Sequence, residues 1–155
     1  MSFKQKYKRL GSFVIDIAIV QMFAMIAKDI YLGVLSYASQ GTGMTVSFHD
    51  AIALPVLLLI IIGVMLITIG VYMGYHWLCY RLLGNSFSRY FLRLSVESIT
   101  DDPMTQSRYL KREFQKIYLS VASLGLYVLY SGAQYLAHSN QPWHDKKFAT
   151  KVVEY

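Results

Sequence analysis

The sequence predicts an all-α integral membrane protein. It would have two full transmembrane helices, a third apolar segment (a re-entrant hairpin or a third span) and a small cytoplasmic β-ribbon. Three observations predict this. Hydrophobic residues make up 55% of the 155 residues and charged residues only 15%, against about 25% charged in a soluble domain. Two runs exceed the roughly 20 apolar residues that span a bilayer. Two short stretches alternate apolar and polar residues with the period of a strand. The chain reads as a single domain, 1–155.

The first span covers about Leu10 to Tyr37. It follows the cations Lys4, Lys6, Lys8 and Arg9, and carries Asp16, Gln21, Lys28 and Asp29 within or near its far end. No A-x-A-like cleavage site follows it, so it is expected to be retained rather than removed as a signal peptide. The loop Ser36–Asp50 is rich in Gly, Ser and Thr and reads as a connector.

The second span covers about 51–83. No charged residue occurs from Ala51 to Tyr75. Pro55 sits near its start, where the missing N–H costs little. Tyr72, Tyr75, Trp77 and Tyr80 read as an aromatic belt, with Arg81 ending the run. His76, among these tyrosines, reads as an interfacial anchor rather than a ligand.

The region 85–116 is polar and basic, with Arg89, Arg93, Arg108, Lys111, Arg112 and Lys116. FLRLSVESI predicts a strand over Phe91 to Ile99, and a helix is expected from about Met104. The third apolar segment is 117–138 and the tail is 139–155, ending in a strand-like FATKVVEY.

Lys and Arg flank the first span on its N-terminal side and the second on its C-terminal side. The positive-inside rule therefore places the N-terminus and the 81–116 region in the cytoplasm. If the third segment crossed once, the two strands would lie on opposite faces of the membrane with their backbone groups unpaired. A re-entrant hairpin, bending at 123–125 and 131–132, would let them pair. A single crossing is the alternative.

Arg9 and Asp16 are seven residues apart, about 10 Å along one helix face. A carboxylate at mid-membrane costs about 2.5–3.5 kcal/mol and marks a functional candidate. Asp16 reads either as a structural partner for a cation or as a proton or cation site. Gly70 and Gly74 form a GxxxG, either a helix-packing face or a lipid-facing one. His144 adjoins Asp145, but no second His or Cys pair stands at metal-ligand spacing, so no metal is expected. With one cysteine, Cys79, no intrachain disulfide can form. The net charge of +6 flanks apolar runs instead of forming a stripe, so no nucleic-acid partner is expected. No phosphate loop, nucleophile motif or catalytic carboxylate pair is present, so neither an enzyme nor a cofactor is expected.

Three stretches, RLGSFVID, FSRYFLRLSV and PWHDKKFATKVV, resemble the RDD family of small bacterial membrane proteins, named for one arginine and two aspartates. The resemblance covers most of the chain. It implies a functional cluster of Arg9, Asp16 and Asp145, supported by Ser12, His144, Arg89 and Arg93. It also implies a bacterial inner-membrane location. Ala149 stands where the family's tail motif has glycine. Ser88 and Leu92 replace the glycines flanking the central basic residue, where Arg89 replaces lysine. What the resemblance implies for function is transport, as a cation or proton exchanger acting as an oligomer. The alternative is a non-catalytic accessory subunit of a larger membrane complex, with the Arg–Asp–Asp cluster as a packing clasp. The partners expected are the bilayer, further copies or other membrane proteins, and a small cation or proton.

Overall fold

The computed structural model describes residues 3–40, 54–100, 103–136 and 142–154. Helix α1 is Phe3–Gln40 and α2 is Leu54–Leu83. A short α3, Phe87–Phe91, leads into strand β1, Leu94–Ser98. Helices α4, Gln106–Ala122, and α5, Leu126–Leu136, follow. A one-turn α6, Trp143–Lys147, precedes β2, Thr150–Glu154.

Helices α1 and α2 are long and apolar enough to cross a membrane. At 38 residues, α1 is about 57 Å long, nearly twice a ~30 Å hydrocarbon core. Its cationic first turns therefore extend beyond the core. None of the most apolar window of α2 is buried by the rest of the chain, as expected for a helix whose solvent is lipid. The two helices pack together. Tyr31 Oη on α1 donates to the Leu59 carbonyl on α2 at 3.0 Å. A Cβ at Gly63 would overlap that ring, so glycine there permits the approach.

Helix α4 is an amphipathic helix turned inside out. Its buried stripe is Tyr109, Arg112, Glu113, Lys116 and Ser120, while Phe114 and Tyr118 are exposed. Spacings of three and four residues put the stripe on one face. That face packs on α2. Three of its charged side chains are thus hidden while two of its aromatics are shown.

Strands β1 and β2 pair antiparallel, with Leu94 opposite Glu154, Val96 opposite Val152 and Ser98 opposite Thr150. A two-stranded ribbon is marginal alone. Here Leu94, Val96 and Val152 pack with Tyr109 of α4 into a buried apolar cluster edged by Tyr80, Leu92, Met104 and Leu110.

Several expectations need correction. The strand expected over 91–99 begins at Leu94, because Phe87–Phe91 is helical and Arg93 adopts φ 55°. The alternation in FLRL is the signature of a turn that points Leu92 and Leu94 inward, not of a continuous strand. The boundary at 117 falls inside α4. The chain does bend at 123–125, with Leu124 at φ 51° and Gly125 at φ 89°. It does not bend at 131–132, where α5 is continuous. Residues 51–53, most of the connector after α1, and 137–138 lie outside the described residues.

Candidate functional site

The inward ends of α1, α2, α4 and α6 enclose a cluster of buried polar side chains. Asp16 lies two turns above Arg9 on α1 and is 1% exposed. Tyr75 of α2 donates its hydroxyl to Asp16 Oδ1 at 2.6 Å. Asp16 Oδ2 is buried without a hydrogen-bond partner among the described residues. One turn on from Tyr72, His76 is fully buried, its ring 5.1 Å from that of Tyr75. This corrects the interfacial reading of His76. Helix α4 covers it, so its polar atoms face other side chains instead of headgroups.

Glu113 is the hub. Tyr72 Oη donates to its Oε2 at 2.6 Å and Arg89 Nη1 donates to its Oε1 at 3.1 Å. Arg112 also bonds Oε1, and Lys116 Nζ stands 3.5 Å from Oε2. Burial by itself would raise the Glu113 carboxyl. The neighbouring cations Lys116, Arg112 and Arg89 outweigh burial and hold it well below the usual carboxylate range. Glu113 is therefore ionised throughout the neutral range.

Tyr109 links the hub to α2. Arg89 donates to Tyr109 Oη at 3.3 Å, which leaves the phenolic proton for His76 Nδ1 at 3.0 Å. His76 Nε2 is then the protonated nitrogen. It stands 3.7 Å from Glu113 Oε2, beyond hydrogen-bond range.

The tail closes the network from the other side. Arg112 Nε and Nη2 reach Asp145 Oδ1 at 2.6 and 2.5 Å, and Thr150 donates to the same oxygen at 3.1 Å. His144 Nδ1 is 2.9 Å from Tyr127 Oη. Burial, reinforced by the Arg112 charge, pushes His144 down to about 3, so it is neutral. Lys116 also lies over the Phe13 ring at 4.6 Å. Within the network the cations Arg89, Arg112 and Lys116 stand among the carboxyl groups of Glu113, Asp145 and Asp16, and Lys6 of α1 is buried as well.

The structure brings only part of the expected set together. Arg9 donates to the Val152 carbonyl of β2, while Lys8 pairs with Glu154. Ser12 is buried and donates to the Arg9 carbonyl at 2.9 Å. Its own carbonyl accepts from Ser88 Oγ at 2.9 Å, pinning α3 to α1. Arg89 and His144 lie inside the network, whereas Arg93 is exposed. Gly70 and Gly74 meet no neighbour within 4 Å and lie apart from it. Ala149 adopts φ 46°, a left-handed conformation that glycine takes without strain.

Sequence reasoning missed Glu113, Tyr72, Tyr109 and the inward role of Arg112 and Lys116. The signal was available in the spacing of Tyr109, Arg112, Glu113, Lys116 and Ser120, a polar stripe with the periodicity of a buried face.

Chemically, the site holds two incompletely satisfied titratable groups, Asp16 and His76, beside a hydrogen-bonded set of tyrosines and ion pairs.

No curated protein and no solved structure matches the chain significantly. The sequence profile of the RDD family matches residues 5–148. That span runs from the first turn of α1 through α6 and includes Arg9, Asp16 and Asp145. The chain belongs to the RDD family.

Proposed function

We propose that this chain is a membrane transport protein that exchanges a proton or small cation at Asp16 and works as an oligomer. The observation that supports this most strongly is the buried, unpartnered Asp16 Oδ2. A carboxylate kept only for packing would have both oxygens satisfied, because an unpaired buried acceptor costs about 1–3 kcal/mol. An exchange site needs an oxygen left open for its ion. Two long apolar helices are few to line a path, so the active unit is taken to be more than one chain.

In this reading the ribbon and the Arg112–Asp145 pair form a clasp, and the clasp positions the end of α1 that carries Asp16. The pairing of β1 with β2 and the break at 123–125 support a re-entrant α4–α5 hairpin. The charge flanking α1 supports a cytoplasmic N-terminus and ribbon in a bacterial inner membrane.

A second reading is an accessory subunit of a larger membrane complex. Its support is that Glu113 and Asp145 are each held by buried arginines, the arrangement of a packing clasp. Extraction in mild detergent followed by native mass measurement separates the two. Oligomers of this chain alone that carry ion flux in proteoliposomes support transport. Stoichiometric co-purification with other membrane proteins, and no flux by the isolated chain, would overturn it.

A further inference from the structure

We propose that the groove between the start of α1 and the α3–β1 turn is a binding site for an anionic phospholipid. The phosphate would lie at Lys4 and Lys8, and an acyl chain would run over Gly11 and Ile15.

The groove has a volume of about 550 Å³ and is lined by Lys4, Tyr7, Lys8, Gly11, Ile15 and Leu92. The first five residues recur at three- and four-residue spacing, so they form one continuous stripe on α1. The stripe is ordered as a phospholipid is ordered. Two cations and a phenol stand at one end, and apolar side chains at the other. A Cβ at Gly11 would meet nothing within 4 Å, so the floor between head and tail positions is open.

The position of the groove selects lipid as its occupant. The cations of the first turns cannot enter hydrocarbon cheaply, while Val14 and Ile15 just above them are exposed and apolar. The groove therefore crosses from the headgroup layer into the acyl layer. Exposed Phe87, Tyr90 and Phe91 flank Leu92, with ring centroids 4.7 and 6.1 Å apart. Clustered aromatics of this kind mark the membrane–water boundary. Charge selects the anionic class. Lys4 and Lys8 face one carboxylate, Glu154, which pairs with Lys8. The site does not depend on the transport reading.

The test is native mass spectrometry of the purified full chain offered equal phosphatidylglycerol and phosphatidylcholine. Preferential retention of phosphatidylglycerol is expected. Lys4→Gln should weaken it about fivefold, the effect of one lysine at an anionic surface. Gly11→Leu, which fills the floor and leaves charge unchanged, should weaken retention of both lipids. Equal retention of the two lipids by the unaltered chain would overturn the proposal, as would wild-type retention by both variants. Displacement of phosphatidylglycerol by inorganic phosphate would overturn the acyl-chain half of it.

Discussion

Arg112 and Asp145 meet at 2.5 Å with their side chains 0% and 3% exposed, joining α4 to the C-terminal tail. Arg112 also bonds Glu113, so this one guanidinium ties the tail to the hub of the buried network. Removing the Asp145 carboxylate leaves a buried cation with one partner fewer. Asp145→Ala is expected to destabilise the fold by about 3–5 kcal/mol, read as a lower melting temperature in detergent. It should also free β2 and expose the tail to protease. The double variant Arg112→Met with Asp145→Leu, which removes both charges, should lose less than the single one.

Ala149 carries the opposite expectation. Its φ of 46° places a Cβ in a conformation that costs about 1–2 kcal/mol for an L-residue. Ala149→Gly should therefore raise stability by about 1 kcal/mol, the remainder being lost to the freer unfolded chain. Thermal unfolding of the two proteins side by side measures this directly.

His144 predicts a pH dependence. Its folded value is about 3 against an ordinary 6.5, so the unfolded chain takes up the proton first. The stability it contributes is complete above pH 6.5 and falls as pH drops toward 3. The slope is ~1.4 kcal/mol for each pH unit below 6.5. Glu113, held well below the usual carboxylate range, contributes stability that starts to be lost only as pH falls through that range. Above it the slope belongs to His144 and not to Glu113. Melting temperatures from pH 7.5 to 5 should fall less steeply for His144→Gln than for the natural chain.

Among the described residues, Tyr75 is the hydrogen-bond donor to Asp16. In Tyr75→Phe the Asp16 carboxylate would lose that donor, at about 1–3 kcal/mol. The loss should appear in the melting temperature at neutral pH. An unchanged melting temperature would mean that water or a neighbouring chain reaches Asp16.

Much of this arrangement was legible in the sequence, and the reasons differ by element. Helices α1 and α2 declared themselves through length and apolarity, which lipid alone demands. Asp16 stood out because a carboxylate in an apolar run has no cheap explanation. The two strands were visible through alternation, and their pairing follows from backbone groups that need partners. Glu113 was hidden for a physical reason. It lies among Arg108, Lys111, Arg112 and Lys116, where a glutamate reads as one member of a solvated, salt-bridged helix face. In water that reading would hold. In the structure the helix instead buries Arg112, Glu113 and Lys116 and exposes Phe114 and Tyr118, the reverse of the usual rule for amphipathic helices. His76 was hidden in the same way, because its tyrosine neighbours fit both an interfacial belt and a buried aromatic shell.

The proposed exchange at Asp16 is tested most directly by proton-driven cation flux in proteoliposomes, compared between the natural chain and Asp16→Asn at matched folding. Flux is expected in the natural chain and its loss in Asp16→Asn, with the melting temperature and oligomer mass preserved. Equal flux in both proteins, or a variant that fails only because it does not fold, would contradict it and leave Asp16 as a packing residue.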